Sequence, residues 1–178
     1  MNLSKNFSYK PFTVDQISEK YLGWLNDEET NKFSQRRFFK STKEDAVKFV
    51  NSIKQDEFVF AIYAKKNIHV GNIHLGPIDK FNLNCEIRIL IGDKTFWNSG
   101  VATEAIYSAE KFLFFEKNMF RVGADSFNPA FEKIVVQKLG WRHEGTIKKR
   151  MLVGDKRFDY KIFGILKEDF RLIKEYES

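Results

Sequence analysis

The stretch Glu86-Ile-Arg-Ile-Leu-Ile-Gly-Asp-Lys-Thr-Phe-Trp-Asn-Ser-Gly-Val-Ala-Thr-Glu-Ala105 decides how the rest of this chain is read. The stretch Cys85 to Ile91 is rich in β-branched and apolar residues, which suits a strand. Gly92-Asp93-Lys94-Thr95 forms a polar turn. Asn98-Ser99-Gly100 then opens a helix in which Ala102, Ala105, Ile106, Ala109, Phe112 and Leu113 recur at helical spacing. A strand, a short turn and a helix entered through small residues make an anion site. The first helical N–H groups lack internal partners and carry the positive end of the helix dipole. Asn98, Ser99 and Gly100 leave a phosphate free to reach those amides.

Composition sets the bounds. A chain of 178 residues, 43% hydrophobic and 30% charged, fits one soluble globular domain with an ordinary core. Aromatics at 16%, with 19 Phe, point to an aromatic core or a lined cleft. The single cysteine, Cys85, excludes an internal disulfide and a multi-cysteine zinc site. His69, His74 and His143 lack metal-ligand spacing, so no metal is expected. The longest apolar run, Phe58 to Ala64, is far short of the ~18 residues of a membrane span. The first residues show no signal-peptide core, and a cytoplasmic protein is the default expectation. Net charge is +6, but the basic residues are interspersed with acids and no block of like charge appears. That pattern argues against a nucleic-acid partner and is compatible with a polyanionic small ligand.

In chain order, Phe7 to Phe12 reads as a strand. Thr13 with Gln16 reads as a capping box opening a helix with Val14, Ile17, Tyr21, Leu22 and Leu25 on one face. A loop from Asn31 to Lys40 carries Arg36 and Arg37 among Phe33, Phe38 and Phe39. Ser41 with Glu44 suggests a second capping box, whose helix turns Ala46, Val47, Phe49, Val50 and Ile53 inward. Strands at Phe58–Lys65 and Ile68–Leu75 join at Lys66-Asn67 in a tight hairpin. Pro77 to Leu83 is a loop before the central strand. After the central helix come a strand (Met119–Asp125), a helix (Pro129–Leu139) stopped by Gly140, and a hairpin of Trp141–Val153 with Lys156–Leu166. A charged helix over Lys167–Glu177 closes the chain. No linker or repeat interrupts residues 1–178, so one mixed-sheet α/β domain is expected.

Trp97-Asn98-Ser99-Gly100-Val101-Ala102-Thr103-Glu104-Ala105 resembles the coenzyme-A pyrophosphate loop of the GNAT N-acetyltransferases. The closest likeness is to the branch that acetylates ribosomal-protein N-termini and small amines. The general pattern, Gln/Arg-x-x-Gly-x-Gly/Ala, is matched at Gly100 and Ala102, with Trp97 at the first position. The element order agrees along nearly the whole chain. The resemblance implies an α/β single-domain GNAT fold. Its mixed, mostly antiparallel sheet of about seven strands is flanked by helices and splayed between the fourth and fifth strands. It further implies acetyl-CoA as co-substrate, its phosphates on Asn98, Ser99, Gly100, Val101, Ala102 and Thr103. The pantetheine arm would pair with the backbone of Ile89, Leu90 and Ile91, since an open strand edge binds extended amides.

Acetyl transfer to an amine needs a neutral amine and a polarised carbonyl. Deprotonating a lysine-like amine at pH 7 costs about 4.6 kcal/mol, an α-amino group only about 1 kcal/mol. A general base therefore matters for the first acceptor and is optional for the second. Glu86, where related enzymes often place a catalytic glutamate, is the candidate base, its proton affinity raised by burial beside Cys85 and Ile87. The alternative is a strand glutamate that faces solvent, or one ion-paired with Arg88 two residues on. Asn128, in an Asn-x-x-Ser-like stretch with Phe131 at the serine position, either contacts pantetheine or caps its helix. Lys133 reaches the coenzyme phosphates or lies on the surface. Many relatives carry a proton-donating tyrosine where this chain has Val136 and Gln137.

By resemblance, Trp24, Glu28, Arg36 and Arg37 lie in the acceptor wall. Acids there suit a cationic amine, and arginines suit a carboxylate or a nucleotide diphosphate. The acceptors in view are an amino sugar, nucleotide-linked or free, a protein N-terminus, or a polyamine or antibiotic amine. No nucleophile–base set is visible, which fits direct transfer. A non-catalytic acyl-CoA binder is the alternative, and a monomer or homodimer is expected.

Overall fold

The structure, a computed structural model, describes residues 4–177. Seven strands form one sheet in the order β1-β2-β3-β4-β5-β7-β6. They are β1 (Ser8–Pro11), β2 (Phe58–Ala64), β3 (Ile68–Asp79), β4 (Asn84–Ile91), β5 (Arg121–Ser126), β6 (Arg142–Val153) and β7 (Lys156–Leu166). Every pairing is antiparallel except β4 with β5. The expected α/β architecture is therefore present.

Helices α1 (Glu19–Asn26), α2 (Glu28–Asn31) and α3 (Lys43–Ser52) come before β2. Helix α4 (Val101–Lys111) continues into a wider turn at Phe112–Glu116, and α5 (Pro129–Glu132) does the same over Lys133–Lys138. Two apolar layers sandwich the sheet. One packs Ile87, Val122, Ala124, Phe163 and Ile165 against α4 residues Ala105, Ile106 and Ala109. The other joins Tyr21, Trp24 and Leu25 of α1 and Ala46 of α3 to Val59, Ala61 and Tyr63. Because side chains alternate along a strand, Glu86, Arg88 and Leu90 face the α1/α3 side. So do Arg121, Gly123 and Asp125 of β5.

Four local expectations are corrected. The Thr13–Gln16 box closes only a three-residue turn, and α1 starts at Glu19 with Ser18 Oγ accepting from Tyr21 N. The second box is Thr42 with Asp45, not Ser41 with Glu44. The backbone of Ser41 is held instead by the Asn26 side chain through two bonds of 2.8 and 2.9 Å. Strand β3 continues past Leu75 to Asp79 across a register shift, where a loop was expected from Pro77.

The terminal helix is absent: Lys167–Asp169 and Lys174–Tyr176 are single turns. Phe170, Ile173 and Tyr176 pack on the core. The Tyr107 hydroxyl accepts from Ile173 N at 3.0 Å and donates to Glu177 at 2.6 Å. Those contacts to α4 need an extended path, and tertiary packing overrides helix propensity. The Cys85 thiol is fully buried in the core and pushed up to about 12 by that burial.

Candidate active site

Strands β4 and β5 pair over only three positions, Asn84 to Glu86 with Arg121 to Gly123. Beyond Glu86 they part, and the edge of β4 has no sheet partner among the described residues. Gly92 N–H donates to Val70 O on β3. Strand alternation therefore directs the backbone groups of Leu90 to β3, and those of Ile89 and Ile91 into the gap. Of the three residues expected to meet the pantetheine amides, Leu90 is thus already committed. Ile91 O accepts from Trp97 Nε1 at 2.9 Å, which ties the following loop to the strand end.

That loop is built from local bonds. Asp93 Oδ1 accepts from Thr95 N, and Ser99 Oγ donates to Phe96 O at 2.6 Å. Asn98 (φ 60°) and Gly100 (φ 89°) adopt the left-handed conformation, which aims the chain into α4. Gly100 caps α4 without a side-chain bond. The first intrahelical bond is Glu104 N to Gly100 O. The amides of Val101, Ala102 and Thr103 therefore point out of the helix end. Glu104, the acid of the first turn, faces away from them: its carboxylate accepts from the backbone N and Nδ2 of Asn6. Nothing lies within 4 Å of where a Cβ on Gly100 would sit. An uncapped helix end with open space above it fits a phosphate group. Val101 and Thr103 are themselves buried, so their side chains take no part.

Asn128 takes the capping alternative. Its Oδ1 accepts from Ala130 N at 2.9 Å, with Pro129 at the first helical position. Its amide nitrogen remains available to a ligand. Lys133 is exposed one turn further on. Phe131 packs on Phe163, and Val136 joins the core.

Glu86 sits where the two strands part. Burial raises its carboxyl above the usual range, nearby Asp125 adds to this, and Arg121 and Arg88 oppose it. Its pairing is not with Arg88, as the alternative reading had it, but with Arg121, at 3.6 Å from Nη1. Arg121 Nη2 in turn contacts Glu144 Oε2 at 2.5 Å. Arg88 donates to Gly76 O.

The expected acceptor wall divides. Trp24 is a correction: it is 7% exposed, wedged beneath Gly92 and edge-on to His69 at 5.0 Å. It supports the turn from inside the core rather than lining a cleft. Glu28 is exposed. Its neighbours Asp27 and Glu29 are both taken by Lys94, at 2.9 and 2.8 Å, and that bond holds Asp27 down to about 2. Arg37 is largely committed. Its guanidinium donates to Ser34 O and, at 2.7 Å, to Leu152 O of β6, and lies over the Phe127 ring. Arg36 is half-buried near Tyr21.

Sequence reasoning missed Arg121 and Glu144, and it placed Trp97 at the head of the loop without its bond to Ile91 O. The only signal for Arg121 and Glu144 was a glycine inside each of two strands, Gly123 and Gly164. Such glycines mark a close approach.

A parted parallel strand pair beside an open helix N-terminus offers an edge for an extended amide chain and a seat for a phosphate, with a raised carboxyl on the opposite face. Residues 9–142 match the family described as "Acetyltransferase (GNAT) domain", and the chain belongs to that family. A sequence search of curated proteins finds no match. Among solved structures, spermidine N-acetyltransferase from Vibrio cholerae in complex with CoA and spermine is similar. It superposes with a TM-score of 0.80 at 15% identity, over 92% of this chain and 97% of that one. A chimera of the Vibrio cholerae enzyme and hSSAT gives 0.81 at 14%, over 92% and 97%. A GNAT-family acetyltransferase from Bacillus anthracis gives 0.77 at 23%, over 93% and 98%. At these identities the likeness establishes the fold. The ribosomal-protein branch receives no separate support. No helix among the described residues is long and apolar enough to cross a membrane.

Proposed function

We propose that this acetyltransferase moves the acetyl group of acetyl-CoA directly onto a primary amine of a small molecule. An amino sugar or nucleotide-linked amino sugar is favoured, with a protein N-terminus next. The carrying observation is Glu86 at the point where β4 and β5 part, on the face opposite α4. Coenzyme amides bind the Ile89 and Ile91 edge, and the pyrophosphate binds the Val101–Thr103 amides, assisted by Lys133 and Asn128. Glu86 takes the ammonium proton from the acceptor. The amine nitrogen then attacks the thioester carbon and gives up its second proton to solvent, the C–S bond breaks, and the thiolate leaves. Val136 cannot protonate it, so solvent does.

Charge favours an acceptor bearing an anionic group. Asp27, Glu29, Glu86 and Glu144 are all paired within the chain. Arg36, Arg88 and Arg150 have no carboxylate within 4.0 Å among the described residues. Arg150 lies over the Tyr160 ring beside Arg88 and Asp125. Arginines without carboxylate partners suit a phosphate or carboxylate. A polycation such as the spermine bound by the Vibrio enzyme would find Asp27, Glu29 and Glu144 already paired.

The test is thiol release from acetyl-CoA against amino-sugar nucleotides, amino sugars, N-terminal peptides and polyamines. Turnover with the first two supports the reading; turnover only with polyamines overturns the anionic acceptor. Coenzyme binding by calorimetry with no turnover on any amine favours the non-catalytic acyl-CoA binder, for which the missing tyrosine at Val136 is the supporting observation.

A further inference from the structure

Gly123 of β5 and Gly164 of β7 are direct cross-strand partners. A Cβ at Gly123 would lie 2.5 Å from Arg121 Nη1 and 2.6 Å from Glu86 Oε1. A Cβ at Gly164 would lie 2.8 Å from Arg121 Nη2 and collide with the Glu144 carboxylate. The two bare positions form a track along which a guanidinium and two carboxylates lie on the sheet. Any side chain there would lift them off it.

The contacts along this track are unequal. Arg121 is drawn tightly to Glu144, at 2.5 Å, and loosely to Glu86, at 3.6 Å. Coulomb attraction and hydrogen bonding both weaken with that separation. The guanidinium charge is therefore shared in favour of Glu144, so Glu86 is held in place without being fully neutralised as a base. We propose that Arg121 is a positioning residue for Glu86, with Glu144 as its counter-anchor. The Glu144–Arg121 clamp fixes where the Glu86 carboxylate sits and sets how tightly it binds a proton. The other charged groups about this face are Arg88 on β4, Asp125 on β5 and Tyr160 on β7. This inference rests on the reading of Glu86 as the base.

The two arms of the clamp predict shifts of opposite sign, which a merely structural role would not produce. Glu144→Gln frees the guanidinium to close on Glu86, so the Glu86 midpoint falls. Arg121→Gln removes the cation, so the midpoint rises, by about one pH unit given an opposite charge at this distance. Arg121→Lys, which keeps the charge, returns part of the shift. The measurement is a carbon-13 NMR titration of glutamate-labelled full-length chain, with Glu86→Gln identifying the resonance. Midpoints that move in the same direction, or not at all, overturn the clamp.

Kinetics separate this from the base assignment. With the amine that turns over in the thiol-release panel, the acid limb of kcat/KM should track the NMR midpoint in each variant. A stationary limb beside a moving midpoint refutes Glu86 as base, and with it any catalytic part for Arg121.

Discussion

Replacing Gly100 tests the anion site at its most constrained residue. Gly100 has φ 89° and ψ −7°, and a Cβ added there meets no atom within 4 Å. The cost of substitution is therefore conformational rather than steric. A left-handed backbone costs an L-residue about 1–2 kcal/mol. Alanine also narrows the unfolded ensemble, returning about 0.4–1 kcal/mol. The net expectation for Gly100→Ala is a loss of about 1 kcal/mol. If the loop keeps its path, the loss appears as stability. If the chain relaxes to negative φ, the amides of Val101, Ala102 and Thr103 turn off their common target and coenzyme binding weakens about five-fold, at ~1.4 kcal/mol per decade. Gly100→Asn should be milder, because asparagine tolerates this region. Gly100→Trp should match Gly100→Ala in stability, because the space is open, and weaken coenzyme binding further, because its ring fills the space assigned to the phosphate. Calorimetry of acetyl-CoA binding and urea unfolding, run on all three, would decide. Wild-type values for Gly100→Ala in both assays, or a loss confined to Gly100→Trp, would refute the backbone argument and restore a purely steric one.

Two further outcomes follow from buried groups. Glu110 of α4 is 1% exposed, accepts from Trp141 Nε1 at 2.6 Å, and is pushed by burial to about 8. Its contribution to stability is present below about 4.5, the ordinary glutamate value. It is lost progressively as pH rises to about 8, because the unfolded chain releases a proton that the folded chain keeps, at up to ~1.4 kcal/mol per unit. Glu110→Gln should flatten the stability–pH curve and exceed the parent at pH 8; parallel curves from denaturant titrations would contradict this. Arg37→Ala should cost about 1.5–3 kcal/mol through its lost charged hydrogen bonds to Ser34 and Leu152. It should also raise the acceptor KM while leaving acetyl-CoA affinity unchanged. A fall in coenzyme affinity would place this arginine in the other half of the cleft.

What was legible in the sequence is what neighbours along the chain decide. The alternation through Cys85–Ile91, the small residues Asn98 to Gly100 and the helical spacing from Ala102 onward are local signals, and each element formed where expected. The Lys66-Asn67 hairpin, with both residues at positive φ, is likewise turn chemistry. The misreadings came where a distant contact competed with a local preference. Asn26 took the backbone of Ser41 and moved a cap by one residue. Tyr107 held Ile173 and Glu177 and drew the C-terminal segment out of a helix. Gly92 received Trp24, so a residue expected in the acceptor wall became core.

The candidate base divides along the same line. Its position on the strand was readable, because strand and turn are short-range. Its partners were not, because Arg121 and Glu144 lie 35 and 58 residues further along the chain. They reach Glu86 only through the sheet order that sets β5 beside both β4 and β7. The sequence by itself determined most of the elements, the family and the turn that opens α4. The tertiary structure alone decided which charges face one another, because that depends on strand register and on two glycines bare enough to let them meet.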